Sequence, residues 1–307
     1  MSKPVIYFLE TVDRAAMELI AADDYRIGLP SQEMDGTRVR ALVVRGGVQV
    51  DRALIDRCPQ LQVVARCGVG VNNIDVDYCT ERGIQVLNVP GVNAATVAEH
   101  TIGLMLMLVR GMYRLVREVK EDNWGYRNDY VGQELRQLKL GIIGMGDIGK
   151  RVGAIAGAMQ MEVSGAGRER TAVQQVLRES DVVSLHVPLT DETRGMIGAS
   201  ALETMRPGAY LINTARGEVV DAAALLRALQ RGQLAGYASD LLPVGEAKIV
   251  EEIIQHPTVI ITPHAASLTR LTYREMSVMT VENVVIYLSG EEVVKNYMYN
   301  NIFFCDS

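Results

Sequence analysis

The run "LGIIGMGDIGKRVGAIAGA" (140–158) constrains this chain more than any other. An apolar strand pattern runs into Gly144, Gly146 and Gly149, then out into a helical pattern with an apolar face. Each glycine answers a separate demand of that passage. Gly144 permits the tight turn, Gly146 lets the backbone approach a pyrophosphate, and Gly149 lets the helix pack closely on the strand. Phosphates then rest on the unbonded N–H groups and positive end of the helix. The strand before and the helix after are what separate this pattern from an ordinary glycine turn.

Such a unit belongs in a parallel sheet, and the rest of the chain agrees. Short β-branched runs alternate with helical patterns throughout. "VIYFLE", "ALVVRG", "LQVVARCG" and "IQVLNVP" read as strands of a first half, with "DRALIDRC" and "IDVDYCTERG" as helices between them. A long helix is expected from near Ala95, capped by Thr96, to about Lys120. Its apolar face would be Val97, Ile102, Leu104, Met105, Leu108, Met112, Leu115 and Val119. A polar connector over 125–137 leads to a second set of strands: "LGIIGMG", "MEVSGAG", "DVVSLHV", "AYLINTA", "GYASDLL" and "TVIITPH". The helix "DAAALLRALQRG" closes on Gly232, and a last helix runs from about Leu271 to Leu288. At 307 residues, two domains of ordinary size are expected. The fold class is α/β: two Rossmann-like or flavodoxin-like parallel-sheet domains, with ligands bound in a cleft between them.

Bulk properties narrow the partners. A net charge of −6 argues against general nucleic-acid binding, so any anionic ligand must be drawn by locally placed arginines. Cys58, Cys67, Cys79 and Cys305 have neither metal spacing nor a CxxC, which reads as reduced thiols in a cytoplasmic protein and no metal. "MSKPVIYFLE" has no signal-peptide pattern, and "TIGLMLMLV" (101–109) is too short to span a bilayer, so no membrane is expected.

Four places at strand ends carry the chemistry. About twenty residues beyond the glycine motif, a dinucleotide site usually has an acid that accepts bonds from the ribose hydroxyls. This chain has Gly167 there, then Arg168 and Arg170. The change removes repulsion of a 2′-phosphate and supplies donors that match it, favouring NADP(H) over NAD(H); otherwise both arginines are solvated loop charges. In "INTARGEVVD", Arg216 ends a strand in a loop that turns at Gly217, the sheet edge where ligands bind. A substrate carboxylate is its expected partner. In "VIITPHAAS", His264 follows another strand and has the placement of a general acid/base, unlike His100, His186 and His256. Gly68 and Gly70 in "ARCGVGVNNID" either cradle an anion on backbone N–H groups or form an ordinary turn.

Taken in order, "ARCGVGVNNID", "NVPGVNAATVAEH", "LGIIGMGDIG", "SLHVPLT", "LINTARGEVVD", "GYASDLL" and "ITPHAAS" resemble the D-isomer-specific 2-hydroxyacid dehydrogenases, from about Val39 to Asn296. The resemblance implies a cofactor domain inserted into a substrate domain, here 98–284 within 1–97 plus 285–307. It also implies a homodimer, with the long helix after Asn93 in its interface. By position, Arg216 would bind the substrate carboxylate, His264 would exchange the proton, and Gly68, Val69 and Gly70 would present backbone donors to the substrate. The cofactor would contact Thr96, Gly144, Gly146, Asp147, Ile148, Gly149, Gly167, Arg168, Arg170, His186, Val187, Pro188, Thr214, Ala215 and Asp240, the last through the nicotinamide amide.

The chain departs from the family pattern twice. The glutamate that pairs with the histidine should stand five residues after Asp240, where Gly245 stands. Glu246, one later, would restore the pair, ahead of Glu251. About thirteen residues separate Gly167 from "DVVSLHV", too few for the usual elements, so an edge strand or helix is expected to be missing.

Arg45 and Arg66 match positions where the phosphoglycerate-dehydrogenase branch faces a distal phosphate; failing that, they make local salt bridges. The implied reaction is hydride transfer between a nicotinamide and a small 2-oxo or 2-hydroxy acid with a second anionic group, such as a phosphate, phosphonate or carboxylate. The alternatives are a glyoxylate/hydroxypyruvate reductase and a non-catalytic NAD(P)H-sensing protein.

Overall fold

The computed structural model describes residues 3–20 and 24–300; Cys305 and the tail of the expected 285–307 segment lie outside the described residues. The chain divides into two compact units, Met1–Asn93 with Leu268–Ser307, and Ala94–Ser267.

The first unit holds β1 (Val5–Phe8), α1 (Arg14–Met17), β2 (Arg26–Gly28), β3 (Val39–Val44), α2 (Arg52–Asp56), β4 (Val63–Arg66), α3 (Val76–Glu81) and β5 (Gln85–Leu87). All five strands pair in parallel in the order β2-β1-β3-β4-β5. Strands β1 and β5 are buried along their whole length and β3 and β4 almost so, as a parallel sheet covered on both faces requires. The exception, β2, is short and only partly buried, and its "RIG" lacks the apolar run that marks its neighbours. Asp51 and Asp75 cap α2 and α3 by accepting from Leu54 N and Tyr78 N.

The second unit starts with α4 (Ala94–Val109) and α5 (Met112–Lys120), continues through β6 (Lys139–Ile143), α6 (Asp147–Ala158), β7 (Glu162–Ala166), α7 (Arg170–Glu179), β8 (Val182–Leu185), α8 (Ala199–Thr204) and β9 (Ala209–Asn213), and ends with α9 (Ala222–Gln230), β10 (Leu234–Ser239), α10 (Ala247–Gln255) and β11 (Val259–Ile261). Its sheet is parallel, in the order β11-β10-β9-β8-β6-β7. The last helix, α11 (Arg270–Leu288), packs its Val281 and Val284 into the core of β1, β3 and β4. The boundary therefore falls before α11, not at 284/285.

The long helix expected over 95–120 is two helices. Gly111 takes φ 55, and the Arg110 carbonyl accepts the Tyr130 hydroxyl instead of continuing the helix. Thr96 lies inside α4 and is not its cap. Val97, Ile102, Leu104, Met105 and Leu108 are buried as expected, whereas Met112 and Val119 are exposed and α5 buries no residue.

The expected missing element is visible in the sheet. A single helix, α7, carries the chain from β7 across β6 to β8. The usual doubly wound order would place one more strand outside β7. Among the described residues nothing pairs with that outer edge, and Glu162, Ser164 and Gly165 on β7 are exposed.

Candidate active site

In the second unit, the three glycines of the motif stand in three different settings. Gly144 takes φ 102, and a Cβ there would stand 2.4 Å from the His186 carbonyl oxygen. One at Gly149 would stand 2.1 Å from the Gly144 oxygen, so helix and turn are in direct contact. Gly146 differs: no atom lies within 4 Å of its Cβ position, and it caps α6 with no side-chain hydrogen bond to the first-turn N–H groups of Asp147 and Ile148. This is an open cradle at a helix N-terminus, the fit that a pyrophosphate needs. Gly167, at the end of β7, is equally open. Arg168 and Arg170 are exposed beside it and make no ion pair among the described residues. These residues fit a dinucleotide.

The Gly144 turn abuts His186, which opens the His186–Val187–Pro188 segment after β8. The His186 ring lies between Ser184 Oγ (2.9 Å) and Thr214 Oγ1 (3.4 Å), and Thr214 Oγ1 also meets Thr101 Oγ1 at 3.0 Å. Burial pulls the imidazole down to about 4, so it is neutral near pH 7.

Arg216 and His264 follow β9 and β11, and β10 lies between those strands, so both leave the same edge of one sheet. Asn213, fully buried, organises the first loop: its Oδ1 accepts from Ala215 N (3.0 Å) and its Nδ2 donates to Arg216 O (2.8 Å). The Arg216 guanidinium donates to Ala215 O, and burial lowers its pKa from the usual arginine value, with Glu218 opposing. Gly217 packs so tightly that a Cβ would stand 2.2 Å from Leu242 O.

Asp240 organises the second loop. It is 2 % exposed; its Oδ1 accepts from Thr262 Oγ1 (2.6 Å) and Ala265 N (2.8 Å), and its Oδ2 from Ala266 N (2.8 Å). Its backbone O accepts from His264 N at 3.0 Å. These bonds hold His264 at φ 55, a left-handed conformation unfavourable for a residue with a Cβ. His100, from α4, adds Nε2 at 2.9 Å from Thr262 Oγ1 and 3.6 Å from Asp240 Oδ1. The two loops are tied together, since Ser239 Oγ and Asp240 N both donate to Asn213 O (2.9 and 3.1 Å).

Glu246 is not part of this arrangement. Its carboxylate, exposed at the start of α10, makes no ion pair or hydrogen bond among the described residues and borders a crevice with Arg194, Glu218 and Asp221. The loop before α10 is exposed, with Leu242 and Val244 turned to solvent, and no bond pairs Glu246 with the histidine loop among the described residues. Glu251 is exposed on α10.

The first unit has its own edge of functional groups, described by itself. Gly68 is at φ 144, and its turn is fixed through its carbonyls: Asn88 Nδ2 donates to Val69 O (2.7 Å) and Val89 N to Gly68 O (3.0 Å). The Val69 and Gly70 N–H groups have no partner among the described residues, as backbone donors for a ligand require. Arg66 lies between two glycines: its guanidinium would be 2.9 Å from a Cβ at Gly68 and 3.3 Å from one at Gly46. Arg45 makes no ion pair among the described residues. Burial pushes the Cys67 and Cys79 thiols up to about 11 and about 12, so neither is a thiolate nucleophile near neutral pH.

Asn213, Asp240 as a loop anchor, and His100 escaped the sequence reading. A polar residue closing an apolar strand run, as in "LINT" and "ASD", is the signal that was available for the first two.

Residues 102–266 match the profile of the D-isomer specific 2-hydroxyacid dehydrogenase NAD-binding domain. The chain is 38% identical over 261 residues to a glyoxylate reductase of Aeropyrum pernix, covering 79% of this chain and 78% of that protein. It is 38% identical over 262 residues to an (S)-sulfolactate dehydrogenase of Chromohalobacter salexigens (81% and 84%). With a D-3-phosphoglycerate dehydrogenase of Bacillus subtilis it shares 35% identity over 266 residues, 83% of this chain but 50% of that one, so it spans about half the length of that relative. Among solved structures, D-lactate dehydrogenase of Aquifex aeolicus, complexed with NAD and lactic acid, superposes with a TM-score of 0.81 at 30% identity (96% and 98% covered). The NADPH-dependent glyoxylate/hydroxypyruvate reductase of Sinorhizobium meliloti gives 0.83 at 27% identity (95% and 97%). Among the described residues, no helix is long and apolar enough to cross a membrane.

Proposed function

The chain belongs to the D-isomer-specific 2-hydroxyacid dehydrogenase family, and from that premise we propose that it reduces a small 2-oxo acid carrying a second anionic group, with NADP(H) as the preferred cofactor. The observation that carries this reading is the shared sheet edge: the open glycine cradle after β6, Arg216 after β9 and His264 after β11 all stand at the carboxyl ends of one parallel sheet.

A bound nicotinamide supplies the hydride. Arg216 pairs with the substrate carboxylate through its planar fork and fixes the orientation of the adjoining carbonyl. His264, protonated, donates from its imidazole to the carbonyl oxygen as charge develops there. Asp240 keeps the histidine loop in its strained conformation, and Asn213 keeps Arg216 in register with it. The Val69 and Gly70 N–H groups are further donors for the carboxylate, and Arg45 and Arg66 receive the second anion. The phosphoglycerate and sulfolactate dehydrogenases among the relatives act, by their names, on acids of that kind. Gly167, Arg168 and Arg170 hold the 2′-phosphate, and the exposed apolar Val116 and Val119 on α5 serve a homodimer in the cytoplasm.

The test is the loss of NADPH or NADH absorbance with a panel of glyoxylate, hydroxypyruvate, 3-phosphohydroxypyruvate and phosphonopyruvate. Consumption of a doubly anionic acid, fastest with NADPH, is expected. Preference for glyoxylate or hydroxypyruvate would place the chain with reductases that need no second charge, and no oxidation with any acid would favour a nucleotide sensor.

A further inference from the structure

We propose that Tyr273, near the start of α11, is a specificity-determining residue that holds the Arg45 guanidinium ready for the substrate's second anionic group; this rests on the 2-oxo acid reading above. The Arg45 Cζ lies 4.8 Å from the centroid of the Tyr273 ring. Stacking on an aromatic face holds a guanidinium in one orientation without neutralising it, and leaves its edge donors open.

Both partners are themselves fixed. The Tyr273 hydroxyl donates to Thr11 O at 3.0 Å, and its N–H to Thr269 O at 2.9 Å in a helix start capped by Thr269. Arg45 stands just past the end of β3 with its backbone clamped at both groups. Its N–H donates to Glu10 Oε2 (2.7 Å), and its carbonyl accepts from Asn73 Nδ2 (3.2 Å). Glu10 Oε1 takes Gly47 N–H at 3.1 Å. The nearest carboxylate is therefore committed to the backbone of the loop and not to the guanidinium. Arg45 has no ion pair among the described residues, and the adjoining Gly46 faces the Arg66 guanidinium.

The ring's part is separable from a general structural one by comparing substrates. The quantity to measure is the ratio of kcat/KM for 3-phosphohydroxypyruvate to that for glyoxylate, in wild type, Tyr273→Leu, Tyr273→Phe and Arg45→Lys. Losing the stack should lower the ratio about threefold to thirtyfold in Tyr273→Leu, and likewise in Arg45→Lys, which keeps the charge but not the planar fork. Tyr273→Phe keeps the ring and should stay within about threefold of wild type. An unchanged ratio in a folded Tyr273→Leu, equal losses for the two substrates included, overturns the proposal whatever Arg45→Lys does. Should Tyr273→Leu fail to fold, Tyr273→Met makes the same comparison, and an unchanged ratio there overturns the proposal equally. A wild type that turns over no 2-oxo acid at all sinks the underlying reading first, whereas turnover with an unmoved ratio counts against Tyr273 alone.

Discussion

Two regions of the second unit face the same dinucleotide-sized task and are built in opposite ways. Around Arg216 and His264, buried Asn213 and Asp240 each make two hydrogen bonds to backbone groups of the functional loops. Around Gly167, the edge strand β7 is exposed, no outer strand covers it, and Arg168 and Arg170 stand in solvent. The lesson is a division of labour. Groups that must meet a reacting atom are held by buried bonds that cost stability to break. On the proposed reading, groups that choose between cofactors act through charge, which tolerates a loose frame.

The contrast is broken most directly at Asp240. Replacing it with Ala strands the part-buried N–H of Ala265 and the buried N–H of Ala266, and should lower unfolding stability by about 3–5 kcal/mol in urea titration. A loss below about 1 kcal/mol would show that the loop is not locked there.

Next comes acid. His186 has a folded pKa of about 4, below its value of 6.5 in an unfolded chain, so the unfolded chain takes up the proton first as pH falls. Its contribution is fully present above pH 6.5 and is lost towards pH 4, about 3 kcal/mol over that window. Thermal melts across the window should show this slope in wild type and a flatter one in His186→Gln.

On the open side, Arg168→Ala should leave stability within about 0.5 kcal/mol. It should raise KM for NADPH about tenfold to a hundredfold while leaving NADH nearly untouched, the size of a lost charge-assisted hydrogen bond. Equal shifts for both cofactors would mean that the arginine does not read the 2′-phosphate. The smallest effect is expected at Glu246, also exposed: Glu246→Gln should change kcat less than about threefold, since no bond links it to the His264 loop. A loss as large as that of a general acid would restore it to the mechanism.

Much of this is legible in the sequence. The glycine spacing, the strand-end positions of Arg216 and His264 and the shortened stretch after Gly167 are local patterns, and local patterns survive folding. The helix break at Gly111 was not foreseen, because an apolar face continues through it and only the Tyr130 bond and the left-handed turn stop the helix. Glu246 was misplaced for a related reason. Spacing along a chain measures reach only where the intervening backbone is fixed, and the loop before α10 is exposed. Tyr273 and Glu10 lie 228 and 35 residues from Arg45, and only the sheet and α11 bring them together.

The central claim is that the imidazole of His264 delivers the proton on which reduction depends, and steady-state kcat of His264→Asn with the best 2-oxo acid tests it most directly. The account predicts a fall of about 10²–10⁴ with an unfolding midpoint close to wild type. Wild-type turnover in that folded variant would contradict it.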